Sequence, residues 1–140
     1  MTHIFPLRVY YEDTDLAGIV YHANYLKFIE RARSEMVRAA GVSQTAMKDQ
    51  GGIVFAVRRM EVEFLAPAKF EDDLQVRTRL GRLTGARFDM EQDVWRGDTL
   101  LFSASVQVVC LDAKGRATRI PADIRQKLTQ FAQGHGDKAE

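Results

Sequence analysis

The sequence predicts an α+β fold in which one long central helix is wrapped by a curved antiparallel sheet. Two observations carry this prediction. Apolar side chains recur at helical spacing over residues 24–40. After Gly51 and Gly52 the chain alternates apolar and polar residues in several segments of strand length. The helix then has one apolar stripe and the sheet one apolar face, and laying the helix across the sheet buries both.

The first half of the chain contains a strand and two helices. Alternation of apolar and polar residues over residues 7–11 predicts a short strand. The long helix is expected to begin at Asn24, a candidate N-cap, and to stop at Gly41. A weaker helix is predicted over residues 43–49.

The second half of the chain predicts a four-strand antiparallel meander followed by a short helix. The connections are short and rich in turn residues, and such connections favour antiparallel neighbours. A proline at position 121 then opens a helix over residues 121–131. The apolar faces of the four strands are marked by Met60, Leu74, Phe88 and Phe102.

Composition indicates an ordinary globular chain. It has 140 residues, of which 46% are hydrophobic and 28% charged, and its formal net charge is +1. This balance excludes extensive disorder and gives no basis for general nucleic-acid binding. We expect a single domain over residues 1–133 and a loose polar tail over residues 134–140.

The single cysteine and the short apolar runs bear on the cellular compartment in which the protein is expected. Cys110 is the sole cysteine, so an intrachain disulfide cannot form, and its place among alternating apolar residues predicts a buried thiol. The N-terminus lacks a signal-peptide pattern. The apolar run from Thr99 to Leu111 falls short of the ~20 residues that a membrane-spanning helix needs. We expect no transmembrane segment and a cytoplasmic location.

The segment from Tyr10 to Tyr25 carries the chemistry. It holds three carboxylates, one histidine and four tyrosines between the first strand and the long helix. The start of a helix presents unpaired N–H groups and about half a positive charge. These groups stabilise an oxygen that gains negative charge during a reaction. A carboxylate in the preceding loop is well placed to lie across from that oxygen.

Two stretches in this segment resemble a known family. Residues 8–15, RVYYEDTD, and residues 18–25, GIVYHANY, are similar to the signature of hotdog-fold acyl-CoA thioesterases of the 4-hydroxybenzoyl-CoA thioesterase type. Residues 30–36 and 58–68 resemble the branch associated with the Tol-Pal cell-envelope genes, called YbgC. The resemblance runs from about residue 8 to residue 121. It implies a hotdog fold, which agrees with the pattern of helices and strands.

The resemblance also implies roles for particular residues. The catalytic carboxylate of the family falls on Asp15, and the accompanying tyrosine and histidine fall on Tyr11 and His22. The His22 N–H falls where the family polarises the thioester carbonyl. Asp15 either attacks the thioester directly or activates a water as a general base, and no motif decides between these routes.

The same resemblance implies the substrate and the assembly. Members of the family hydrolyse acyl-CoA, form homodimers or homotetramers with active sites at subunit interfaces, and in some cases act with acyl carrier protein and phospholipid-synthesis enzymes. Coenzyme A carries phosphates, so basic residues are expected near it. Arg58 and Arg59 are the candidates, and a solvated strand face is the competing interpretation.

Other functions and sites receive less support. Asp13 and Asp15 also have the spacing of a turn or a Mg²⁺ site, but the sequence lacks a glycine-rich phosphate loop and a second acidic cluster. One cysteine and three scattered histidines disfavour zinc. We therefore expect no metal and no cofactor. A non-catalytic acyl-binding or scaffold module of envelope lipid synthesis is the main alternative, and an acyl hydratase or dehydratase is a further one.

Overall fold

The computed structural model describes residues 1–134 and has the predicted α+β architecture. Five strands form one antiparallel sheet, and three helices accompany them. The elements are β1 (Thr2–Arg8), α1 (Asn24–Ala39), α2 (Gln44–Gly51), β2 (Val54–Phe64), β3 (Asp73–Leu83), β4 (Arg87–Arg96), β5 (Thr99–Leu111) and α3 (Ala122–Ala132).

The order of strands in the sheet is β1-β3-β4-β5-β2. The predicted meander is therefore right for β3, β4 and β5 and wrong for β2, which pairs with β5 instead of β3. The reason lies in the connections. Tight turns join β3 to β4 and β4 to β5, whereas residues 65–72 are long enough to carry the chain from one edge of the sheet to β3. Strand β2 is consequently an edge strand.

The first strand lies earlier in the chain than the alternation predicted. It spans Thr2–Arg8 and pairs with β3, whereas residues 11–13 form a single 3-10 turn. The cause is the Asp13 side chain, whose Oδ2 accepts a hydrogen bond from the Tyr10 N–H at 2.8 Å. A local side-chain-to-backbone bond of this kind competes with extension of the strand.

Helix α1 has the predicted length but a different start. Asn24 is its first residue and not its N-cap, because the preceding Ala23 already has helical dihedral angles. The helix ends at Ala39, and Gly41 follows with φ +90°, a conformation that glycine adopts without strain. The predicted second helix is also present, and the Ser43 side chain caps it by accepting the Ala46 N–H.

The core lies between α1 and the inner face of the sheet. Phe28, Ile29 and Met36 of α1 are each at most 1% exposed, and the buried hydrophobic residues described belong to one cluster. Cys110 is fully buried in that cluster, which confirms its predicted place, and burial raises the pKa of its thiol. Among residues 1–134, no helix is long and apolar enough to cross a membrane.

A buried glutamine joins the helix to the sheet. The Gln92 Nε2 donates to the Ile29 carbonyl of α1 at 2.9 Å and to the Thr78 hydroxyl of β3 at 3.0 Å. Its Oε1 accepts from the Arg33 guanidinium at 3.0 Å. Because a buried polar group is costly when unpaired, this network favours one position of α1 over the sheet.

The predicted loose tail covers residues 134–140. Residues 135–140 lie outside the described part of the chain.

Candidate active site

The loop that carries Asp15 is a tight turn between β1 and α1. The Asp15 N–H donates to the Ile19 carbonyl at 2.9 Å, and the Gly18 N–H donates to the Asp15 carbonyl at 3.0 Å. Gly18 has φ +81°, which a residue with a side chain rarely adopts. The Asp15 Oδ1 accepts the Ala17 N–H at 2.9 Å, and within residues 1–134 its Oδ2 accepts no hydrogen bond. The turn therefore fixes the carboxylate while leaving one oxygen free.

Residues 65–72 hold this loop from the other side. The Val20 N–H donates to the Ala68 carbonyl at 2.9 Å, and the Ala68 N–H donates to the Tyr25 hydroxyl at 3.1 Å. Tyr25 is 3% exposed, and burial raises the pKa of its hydroxyl. One residue of the β2–β3 connection thus binds both the Asp15 loop and the first turn of α1.

A cavity of about 380 Å³ opens between these segments. Among residues 1–134, the ionisable residues that line it are Asp15, His22 and Tyr25, and most of the remaining wall is apolar. Phe64 and Leu65 are about half exposed at its edge. The lining residues are Asp15, Ile19, Val20, His22, Tyr25, Phe64, Leu65, Ala66 and Pro67.

The start of α1 leaves backbone donors unused beside this cavity. The Asn24 N–H donates to the Tyr21 carbonyl at 2.8 Å. In the described part of the chain, the N–H groups of His22 and Ala23 have no acceptor. Unpaired amides at a helix start carry partial positive charge and stabilise an anion. The site therefore combines a fixed carboxylate with donors suited to a developing oxyanion.

The structure brings two of the predicted residues together and leaves three outside the cavity. Asp15 and His22 share it. Tyr11 is 83% exposed and packs against Phe70, with ring centroids 6.1 Å apart. Arg58 is exposed at an irregularity of β2, and Arg59 pairs with a neighbouring glutamate on the same strand at 3.2 Å. The roles of all five residues remain predictions.

Sequence reasoning missed the apolar wall of the cavity. Residues 64–67 are the last residue of β2 and the three that follow it, and they lie far along the chain from Asp15, so spacing alone does not connect them. The signal available was the similarity of residues 58–68 to the family. Asp13 has a structural role, since its carboxylate accepts the Tyr10 N–H. Within residues 1–134, the His, Cys, Asp and Glu side chains form no group of three or more suited to a metal ion.

Comparison with known proteins now identifies the family. The model of the Thioesterase-like superfamily matches residues 9–128 of this chain. The chain belongs to this superfamily. The match confirms the predicted family, and the sheet and helices confirm the predicted hotdog fold of the superfamily.

Individual members of the superfamily are similar to this protein over most of its length. The acyl-CoA thioester hydrolase YbgC of Escherichia coli is 41% identical over 128 residues, which are 90% of this chain and 95% of the relative. The acyl-CoA thioesterase YbgC of Haemophilus influenzae is 38% identical over 122 residues, with 86% and 90% covered. The crystal structure of a probable thioesterase from Bartonella henselae superposes with a TM-score of 0.83 and 41% identity, covering 86% of this chain and 100% of that one.

Proposed function

We propose that this chain is an acyl-CoA thioesterase that hydrolyses acyl-CoA to a free acid and the thiol of coenzyme A. The observation that carries the proposal is the cavity in which Asp15 and His22 lie beside the start of α1. Hydrolysis of a thioester needs a group that attacks or activates water and a group that stabilises the oxyanion. The YbgC relatives, named as acyl-CoA thioesterases or thioester hydrolases, support this substrate class.

The oxyanion is stabilised at the start of α1. When the thioester carbon is attacked, the carbonyl electrons move to oxygen. The unpaired His22 N–H and the positive end of the helix dipole then face a full negative charge in place of a partial one. Their interaction is stronger in the transition state than in the ground state, which is the condition for acceleration.

Asp15 acts by one of two routes, and its free Oδ2 suits both. As a nucleophile, Oδ2 bonds to the thioester carbon, the C–S bond breaks, and thiolate leaves an acyl–Asp15 mixed anhydride that water hydrolyses. As a general base, Asp15 accepts a proton from the attacking water, and the C–S bond breaks as the tetrahedral intermediate collapses. Early accumulation of an acyl adduct on Asp15, detected by mass spectrometry, distinguishes the first route.

The apolar wall receives the acyl group. Phe64, Leu65 and Pro67 line the same cavity as Asp15 and His22. Burial of acyl methylene groups against this wall contributes about 0.8 kcal/mol for each group.

The assembly is a homodimer or homotetramer with the site at the subunit interface. Strand β2 is an edge strand, and its last residue, Phe64, is half exposed. An uncovered strand edge next to an apolar surface favours pairing with another chain. In such an assembly Tyr11, Arg58 and Arg59 reach substrate bound by their own or the neighbouring subunit.

Three further proposals rest on the family resemblance. Acyl carrier protein is a second acyl carrier, phospholipid-synthesis enzymes are partners, and the location is the cytoplasm. The single hotdog domain over residues 1–133 is supported by the one cluster of buried hydrophobic residues.

Release of thiol from a panel of acyl-CoA substrates tests the function. The panel runs from short aliphatic to long-chain and aromatic acyl groups. We expect wild-type turnover on part of this panel and a loss of about 10²–10⁴-fold in Asp15→Asn, with an unchanged thermal midpoint. Glu12→Gln is the matched control, since Glu12 is an exposed carboxylate of the same loop. Tight binding of acyl-CoA without thiol release would instead support the non-catalytic acyl-binding module.

A further inference from the structure

One carbonyl group joins the two halves of the candidate site. The Asp13 carbonyl accepts the Tyr21 N–H at 2.9 Å and the Asn24 Nδ2 at 2.9 Å. Asp13 lies just before Asp15 in the chain, and Tyr21 and Asn24 flank the unpaired His22 amide. The two hydrogen bonds therefore connect the segment that carries the carboxylate to the segment that carries the oxyanion donor.

The Asn24 side-chain amide donates its hydrogen bond to the Asp13 carbonyl and to no group of its own helix. It is partly buried at the first position of α1, and it does not cap its own helix. The carboxylate of Asp13 is used elsewhere, for the Tyr10 N–H. Without the Asn24 amide, the Asp13 carbonyl would keep only its main-chain bond to Tyr21, and the start of α1 could shift relative to Asp15.

We propose that Asn24 is a positioning residue that fixes the start of α1 against the Asp15 loop. This inference rests on the proposed thioester hydrolysis. A displacement of about 1 Å between reacting groups can lower a rate by about 10²-fold, even when the altered residue does not touch substrate. Because the oxyanion forms only in the transition state, loss of positioning lowers kcat and leaves KM nearly unchanged.

Steady-state kinetics of Asn24→Ala and Asn24→Asp test this role. Alanine removes the side-chain amide, and aspartate keeps its shape but lacks the N–H donor. We expect kcat to fall about 10- to 100-fold in both variants, with KM within about threefold of wild type. The aspartate variant serves as the test if the alanine variant does not fold.

Thr84→Val is the matched control. In the wild type the partly buried Thr84 hydroxyl donates to the Arg87 carbonyl at 3.1 Å, just after the end of β3 that lies away from the site. We expect it to lower the thermal midpoint as much as Asn24→Ala does while keeping wild-type kcat. If the Asn24 variants lose as much thermal stability as Thr84→Val and keep wild-type kcat, Asn24 has only a structural role and the proposal is overturned. A change in KM alone would overturn it as well, because it would indicate a substrate contact.

Amide hydrogen exchange separates this proposal from the proposed function. In Asn24→Ala the Tyr21 N–H should exchange faster, since its bond to the Asp13 carbonyl is no longer backed by the Asn24 side chain and the start of α1 can move away more often. Thr84→Val should leave that rate unchanged. Unaltered exchange at Tyr21 overturns the positioning role whatever the activity. Absence of thiol release by wild type, with faster exchange in Asn24→Ala, would contradict the hydrolase function alone.

Discussion

Arg96 holds Asp72 with an Nη1–Oδ2 distance of 2.8 Å, and the same nitrogen donates to the Pro67 carbonyl at 3.1 Å. The Asp72 Oδ2 also accepts the Lys69 N–H at 2.8 Å. These bonds brace the connection between β2 and β3, in which Pro67 forms part of the cavity wall. We therefore expect a residue of β4, outside the cavity, to control the shape of the surface proposed to receive the acyl group.

The first prediction concerns this brace. Arg96→Ala should lower the free energy of unfolding by about 1–3 kcal/mol, because the Asp72 carboxylate and the Pro67 carbonyl both lose a donor. Loosening of the wall should raise KM for acyl-CoA more than it lowers kcat. Thermal melts and thiol-release kinetics measure the two effects. Arg38→Ala is the control, since it breaks an exposed pair with Glu35 that contributes less than about 1 kcal/mol. A wild-type KM in Arg96→Ala would contradict the proposed control of the wall.

The second prediction concerns the side chain of His22. It lines the cavity, and its ring packs on Tyr21 with centroids 4.6 Å apart. His22→Ala keeps the backbone N–H, so the oxyanion donor remains and turnover should fall less than in Asp15→Asn. If the imidazole transfers a proton, the pH–rate profile of the variant should change shape. A profile superimposable on that of wild type would argue against proton transfer by His22.

The third prediction concerns Cys110. Its thiol is fully buried and burial raises its pKa, so at any given pH less thiolate is present than in an exposed cysteine. The native protein should therefore not react with a thiol reagent, and one equivalent should react after unfolding in denaturant. Cys110→Ala should retain turnover. Rapid reaction of the folded protein would show that this thiol is accessible.

Sequence by itself determined the features that depend on near neighbours in the chain. The stripe of apolar residues in α1, the stop at Gly41 and the final helix after Pro121 all follow from local spacing and backbone preference. Asp15 and His22 share one motif, so the sequence also placed both beside the start of the helix. The prediction of Asn24 as the N-cap of this helix is wrong, because the spacing of residues does not show which acceptor a side-chain amide will find.

Tertiary structure decided what depends on segments that are distant in the chain. The pairing of β2 with β5 and the cavity wall at residues 64–67 arise when the sheet forms beneath α1. Arg96 meets Asp72, and Tyr25 meets Ala68, only through that packing. Alternation within a strand specifies which side chains are buried, but it does not specify the neighbouring strand, which is chosen by the fit of complete apolar faces.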